Sequence, residues 1–248
     1  MKKTEVGIVG SVIRYPFRYG TLAMGALLAA FAINFRKGDI SNSVAEWGQF
    51  GDYFGGLLNP FFGLISVALV AATLRSQTLS ASKQKFEGQF FALLELHASV
   101  LEAIDLIISN GATKRGRDCF YLFYKKIVKI SQKNKVPMST AYQRFLEEHG
   151  WEIEHYFRTV YHMFMHVKER SYEADASPHE IKRYYDLIKS QLSQYELVLL
   201  WLNIESVNRG NWQSILSEPL ADPFEHLNRA KLIENPAPVN EEDEPTKH

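Results

Sequence analysis

Residues 19–35 read YGTLAMGALLAAFAINF and residues 53–74 read YFGGLLNPFFGLISVALVAATL, 17 and 22 residues without a charge. At about 1.5 Å per residue the second is about 33 Å long as a helix, enough to cross a hydrocarbon core of about 30 Å; the first is short but within the range of spans. Asn59 and Pro60 are expected to interrupt the second near its start. Pro is tolerated in spans where neighbouring groups satisfy the freed carbonyl. Lys2, Lys3, Arg14 and Arg18 precede the first stretch, and Arg75, Lys83 and Lys85 follow the second. The loop between holds only Arg36 and Lys37 as basic residues. By the positive-inside rule both termini face the cytoplasm and residues 36–52 form a short outer hairpin, with Arg14, Tyr15 and Tyr19 as interface anchors. Two other readings compete. A buried hairpin of a soluble fold would carry the same composition. Ala30-Phe31-Ala32 after a basic and apolar run resembles a signal-peptide cleavage site, but a second apolar stretch follows within twenty residues.

The rest of the chain has a different solvent to satisfy. Of 28 Lys+Arg and 28 Asp+Glu, residues 1–74 hold six basic and four acidic, and residues 75–248 hold the other 22 and 24. The net charge of zero argues against a free-standing nucleic-acid binder. Cys119 is the single cysteine, so no intrachain disulfide and no Cys-based zinc site can form, which fits folding in a reducing compartment. No nucleophile motif surrounds it. Within the apolar stretches Gly25 with Ala29, Ala26 with Ala30, and Gly51 with Gly55 stand four residues apart, a spacing that lets helices approach closely in lipid. The two spans can use it on each other, or separate chains can self-associate through it.

After residue 74 the pattern stays helical. Residues 75–109 contain no Pro and one Gly, Gly88, with Phe86, Phe90, Leu93, Leu94, Leu96, Val100, Leu101, Ile104 and Ile108 at three- and four-residue steps. The second span is expected to run on into a long helix stopped by Asn110-Gly111. Further helices are expected over 117–131; over 140–149, opened by a Thr140…Gln143 box and closed by Gly150; over 152–170; from an N-cap at Ser177 with Pro178 at the first helical position; and from a Ser193…Glu196 capping box through Val207. No alternating strand pattern of useful length is visible. The reading is an all-α chain: an N-terminal segment and transmembrane hairpin over 1–74, a cytoplasmic helical bundle over 75–233, and a disordered acidic tail over 234–248.

Candidate chemistry is sparse. His155, His162, His166 and Glu169 lie within a narrow arc of one helix, with Thr159 among them. The apolar Ile153, Phe157, Val160, Phe164 and Val167 form the opposite stripe. The row can be a metal set, but a solvated or partner-facing face is the plainer reading. Arg158 with His162 or His166 misses the spacing of helical HEPN ribonucleases. No phosphate loop, nucleophile elbow, zinc-protease or paired-Cys motif occurs. Lys114, Arg115 and Arg117 form a small basic cluster. The chain is therefore read as a non-enzyme without cofactor or metal. Arg117, His155, Arg158, His162 and His166 are the candidate partner-facing residues. Asp52, Gly55, Gly56, Asn59 and Pro60 are the candidate functional residues of the membrane hairpin, because polar groups at membrane depth are costly unless used.

Five stretches in order resemble the phage abortive infection protein family, the AbiC-like group: WGQFGDYFGGLLNP (47–60), FFALLELH (90–97), GRDCF (116–120), HYFRTVY (155–161) and QLSQYELVLLWLN (191–203). The ending Trp201-Leu202-Asn203 departs mildly from a Phe-Tyr-Asn-like one. The resemblance implies antiphage defence by abortive infection at the bacterial inner membrane. It also implies service as the effector of a retron system, with a reverse transcriptase–nucleic acid complex as partner. The mechanism expected with it is a hairpin that homo-oligomerises in the lipid bilayer and permeabilises or depolarises it after a phage-derived trigger. A membrane-anchored ribonuclease-like toxin and a non-toxic sensor or scaffold are the alternatives.

Overall fold

The computed structural model describes residues 18–22, 24–33, 42–108 and 112–237, and these fall into two compact units divided at Lys83. The elements are α1 (Arg18–Ile33, described except at position 23), α2 (Val44–Ala103), β1 (Asp105–Ile107), β2 (Thr113–Arg115), α3 (Arg117–Asn134), α4 (Met138–Ser171), α5 (Pro178–Gln191), α6 (Gln194–Asn203) and α7 (Arg209–Leu216). Five-residue π-helical segments occupy Ile204–Asn208 and Ala230–Glu234. The expectations placed on Lys2, Lys3, Arg14, Tyr15, Arg36 and Lys37, and on the tail from 238 onward, lie outside the described residues.

The first unit is a helical hairpin. The Phe31 ring of α1 packs edge-on against Phe50 of α2, centroids 4.7 Å apart, and also meets Phe54 at 6.0 Å. Eleven residues earlier, Gly20 lies so close to the Phe61 ring that a Cβ there would collide with it. Partners on α2 climb as those on α1 descend, so the two helices run antiparallel. Two expectations need correction. Residues 44–52, assigned to an outer loop, are the first turns of α2. Pro60 does not interrupt that helix: it removes the N–H that would bond the Gly56 carbonyl, and the ladder on either side carries the helix past it.

The second unit is built around α4, a 34-residue helix that packs on α3, α5, α6 and α7. The separate helices expected over 140–149 and 152–170 are therefore one. Gly150 sits mid-helix without the positive φ of a C-cap, and Thr140 lies past a start set at Pro137. The cost of a mid-helix Gly, about 1 kcal/mol, is small beside the burial that continues across it. Tyr142, Phe145, Ile153, Tyr156, Val160, Met163 and Val167 form one buried stripe along the whole length. The expected face of Ile153, Phe157, Val160, Phe164 and Val167 is buried throughout.

Helix α2 ends at Ala103, before the expected stop at Asn110-Gly111, where positions 109–111 are outside the described residues. A two-stranded antiparallel hairpin follows, pairing Asp105 with Arg115, Leu106 with Lys114 and Ile107 with Thr113. The reason lies in an alternation the helical reading passed over: Ile104, Leu106 and Ile108 are buried, whereas Asp105 and Ile107 are exposed. The two capping signals behave as expected. Ser177 Oγ accepts from the Glu180 N–H at 3.1 Å, and Ser193 and Glu196 form a reciprocal capping box at the start of α6. Tyr124 OH donates to the Leu232 carbonyl at 3.0 Å and ties the C-terminal π-helical segment to α3. Burial, with Tyr195 and Tyr121 nearby, pushes the Tyr124 phenol up to about 12.

Candidate functional site

In the first unit the candidate residues share one side of α2. At about 100° per residue Gly48, Asp52, Gly55, Gly56, Asn59 and Gly63 fall within an arc of about 100°. Asp52, Gly56, Asn59 and Pro60 are exposed, and Gly55 is half-buried with its Cβ position 3.9 Å from Asn59 Nδ2. Among the described residues, nothing within 4 Å would meet a Cβ at Gly48, Gly51, Gly56 or Gly63, nor at Gly25 on α1. Among the described glycines of the hairpin, Gly20 alone is used in the close approach of α1 to α2. The small-residue faces at Gly25 and Gly51 are not consumed by packing within the hairpin. Around them Leu22, Ile33, Phe62, Leu64, Val67, Val70 and Leu74 are exposed. The most apolar 18-residue window of α2 has a mean hydropathy of 2.0, and none of it is buried.

In the second unit, four helices contribute to one buried polar network. Tyr156 of α4 donates its hydroxyl hydrogen to Glu196 Oε1 of α6 at 3.0 Å, and its oxygen lies 3.2 Å from His97 Nε2 of α2. A phenol has one hydrogen, so His97 must donate, which assigns it the Nε2–H tautomer. Glu196 Oε2 accepts from the Ser193 N–H at 2.5 Å and lies 3.9 Å from Arg117 Nε of α3. Arg117 Nη2 also donates to the Gln191 carbonyl at 2.5 Å. Glu196 and Tyr156 are 0% exposed and His97 is 2% exposed. A carboxylate taken fully out of water is tolerated when its oxygens are hydrogen-bonded and a countercharge stands near, and both conditions hold here. Burial holds the His97 imidazole below its ordinary 6.5, against the pull of Glu196. Burial and the Glu196 carboxyl push the Tyr156 phenol well above 10. Of the four side chains only Arg117 reaches solvent. With Glu196, Tyr156 and His97 out of reach of water, the network fixes four helices in register.

Arg117, expected to face a partner, is thus turned toward Glu196, with about half its side chain left in solvent. His155, Arg158 and His162 are exposed on α4, and Arg158 pairs with Glu154 one turn back at 2.6 Å. His166 leaves that row: its ring stacks on Phe86 of α2 at 4.6 Å, and Nε2 lies 3.2 Å from the Phe86 carbonyl. Thr159 is buried and donates to the His155 carbonyl. No cluster of three or more His, Cys, Asp or Glu suited to a metal occurs among the described residues. Cys119 is buried, its Sγ 3.3 Å from the Lys114 carbonyl and 3.6 Å from that of Ile104. Lys114 and Arg115 are exposed.

Sequence reasoning missed His97, Tyr156 and Glu196 as a unit. Yet FFALLELH ends in His97, GRDCF contains Arg117, HYFRTVY contains Tyr156, and QLSQYELVLLWLN contains Glu196. The four blocks that follow the hairpin meet in this network. Residues 148–218 match the family model described as "Putative phage abortive infection protein". The matched segment takes in the fourth and fifth blocks and supplies two of the network's side chains, Tyr156 and Glu196. It supports the abortive-infection resemblance drawn from the sequence. No curated protein and no solved structure matches the chain.

Proposed function

We propose that this protein is an antiphage effector of the abortive-infection type that sits in the bacterial inner membrane through α1 and α2 and, once triggered, permeabilises or depolarises it. The observation that carries the membrane part is the apolar window of α2 with no buried residue. Leu64, Val67, Val70 and Leu74 each stand exposed, and moving such a side chain out of water is worth about 1.5–3 kcal/mol. Lipid is the solvent that removes this cost. The antiphage part rests on the description of the family model over 148–218.

The physical reading of a switch follows from the hairpin. The stripe of Gly48, Asp52, Gly55, Gly56, Asn59 and Gly63 combines small residues, which allow helix contact, with two polar side chains that gain from a partner in lipid. Association of several hairpins through that stripe would gather Asp52 and Asn59 around a shared axis and give water and ions a polar path. Both termini are cytoplasmic in this arrangement, and the trigger acts on the second unit, with a reverse transcriptase–nucleic acid complex as the candidate partner.

The test is dye uptake and membrane potential in cells expressing the full chain during phage challenge. Depolarisation that accompanies growth arrest, and is lost in Asn59→Leu and Gly56→Leu variants that still insert, is the expected result. Growth arrest with intact potential removes the permeabilisation reading. Arrest abolished by alanine at exposed Arg158 and His162, with insertion unchanged, would move the activity to a membrane-anchored toxin acting through α4.

A further inference from the structure

The net charge of zero conceals a local asymmetry. Of the 28 basic and 28 acidic residues, residues 113–135 hold eight and one, so the remainder of the chain holds 20 and 27. These positions are β2, the turn at Gly116, and α3 with its C-cap Lys135. Lys114 and Arg115 stand exposed at one end, Lys133 and Lys135 at the other. Between them Lys125 lies half-buried with Nζ 4.8 Å over the Tyr121 ring, and Lys126 bonds Glu148 at 3.0 Å. Asp118, Glu148 and Asp105, the residue opposite Arg115 in the hairpin, offset only part of this charge. Arg117 is committed to the buried network. A solvated face ordinarily mixes both signs, whereas a stripe of one sign along a helix attracts a polyanion.

The packing of the second unit decides between polyanions. His166 of α4 stacks on Phe86 and Tyr156 meets His97, so α4 runs antiparallel to α2. Phe120 of α3 meets Tyr156 and Lys126 meets Glu148, so α3 runs antiparallel to α4 and parallel to α2. The Gly116 N–H bonds the Ile104 carbonyl just past the end of α2. Helix α3 therefore starts where α2 stops and carries its lysines onward, about 30 Å beyond the level of Phe86. The charge-free stretch 53–74 lies on the other side of Phe86 along the same helix, so lipid headgroups are the wrong partner for this face. Bases are also poorly served. Tyr124 is buried and Lys125 covers Tyr121, so neither ring is an open stacking platform. What remains is a straight, convex row of cations about 27 Å long, which suits phosphates on the outside of a duplex.

We propose that β2 and α3 form a docking face for the phosphate backbone of a nucleic-acid duplex, held without regard to sequence by Lys114, Arg115, Lys133 and Lys135. This deepens the reading above, in which a partner acts on the second unit. Duplex binding is measured without phage or a membrane potential, so its failure and the failure of the permeabilisation reading are separate results.

The experiment holds the full chain in phosphatidylcholine nanodiscs and follows the fluorescence anisotropy of a labelled RNA duplex and, separately, a DNA duplex of about 20 base pairs. Saturable binding of one or both below about 10 μM in 50 mM NaCl is expected, weakening on the order of 100-fold by 200 mM, as four phosphate contacts require. Replacing the four cations together by Gln weakens binding at least tenfold at 50 mM NaCl and flattens the salt dependence. Lys133→Gln with Lys135→Gln alone takes about half of that slope. Lys182→Gln, Arg183→Gln and Arg229→Gln, exposed cations outside residues 113–135, leave both unchanged. Absence of saturable binding by the wild type, wild-type affinity in the fourfold variant, or an equal loss in the control variant overturns the face. Displacement of the duplex by phosphatidylglycerol nanodiscs or by polyglutamate at equal charge, as readily as by unlabelled duplex, gives the face to a lipid surface or an acidic protein and overturns the nucleic-acid assignment. Equal competition by a single strand overturns the assignment to a duplex.

Discussion

Three buried tyrosines of the second unit differ in how many partners their hydroxyls have, and replacing each by Phe tests the network quantitatively. Tyr156 has two partners, donating to Glu196 and standing as acceptor to His97. Tyr142 accepts one bond, from Asn203 Nδ2 at 3.0 Å. Tyr185 has none. Phe keeps the ring and its packing, so the difference is the hydroxyl. Each buried partner left unmatched costs about 1–3 kcal/mol. Tyr156→Phe strands both His97 Nε2 and Glu196 Oε1, which gives a loss of about 2–5 kcal/mol. Tyr142→Phe should cost about 1–2 kcal/mol, because Asn203 alone is affected. Tyr185→Phe should leave stability unchanged or raise it, since it removes an unmatched group. For a unit of this size 1 kcal/mol moves the melting temperature by about 2–4 °C. The full chain in mild detergent, melted under near-ultraviolet circular dichroism, should therefore lose about 5–15 °C in Tyr156→Phe and a few degrees in Tyr142→Phe. If Tyr156→Phe melts with Tyr185→Phe, the His97–Tyr156–Glu196 chain does not hold the helices together and the reasoning fails.

Acid should weaken the fold through His97. Its folded-state value lies below the 6.5 of an exposed His, so between the two the unfolded chain binds the extra proton. Stability is then complete above about pH 6.5 and falls as pH drops, by at most about 1.4 kcal/mol per unit; urea midpoints at pH 7.5 and 5.5 should separate less in His97→Gln than in the wild type. At Gly20 any larger residue runs into Phe61, so Gly20→Ile should cost about 1–3 kcal/mol and be relieved by Phe61→Ala. The yield of a disulfide between Phe31→Cys and Phe50→Cys, with Cys119 replaced by Ala, reports the hairpin in each background. Arg170 is a buried guanidinium whose Nη1 and Nη2 bond both oxygens of Asp175 at 2.9 and 2.8 Å, with Glu173 also on Nη1. Arg170→Ala should cost about 3–5 kcal/mol in a thermal melt, and Arg170→Lys, which lacks the planar fork, should recover only part of it.

Local chemistry that depends on a few neighbouring residues was legible. Ser177-Pro178 and Ser193…Glu196 announced their helices because a cap needs only an oxygen and an N–H two or three residues on. The apolar stripe of α4 was legible because burial repeats every three to four residues. Gly150 misled because a glycine stops a helix only when it takes a positive φ. Packing on α3, α5 and α6 holds it helical instead. Ile104, Leu106 and Ile108 misled in the other direction, since five residues fit either a helix end or a strand until the partner at 113–115 is known.

What the sequence alone determined is the division of the chain: charge-free stretches over 19–35 and 53–74 set apart from a charged, amphipathic remainder, and a predominantly helical character for both. That much follows from composition and period, which are properties of the chain itself. Only the tertiary structure decided that Phe31 meets Phe50, that His166 leaves its row to stack on Phe86, and that His97, Arg117, Tyr156 and Glu196 meet. Those residues come from four helices spread over a hundred positions. A hydrogen bond reaches about 3 Å, so its partners are fixed by how helices pack in space and leave no periodic trace along the chain.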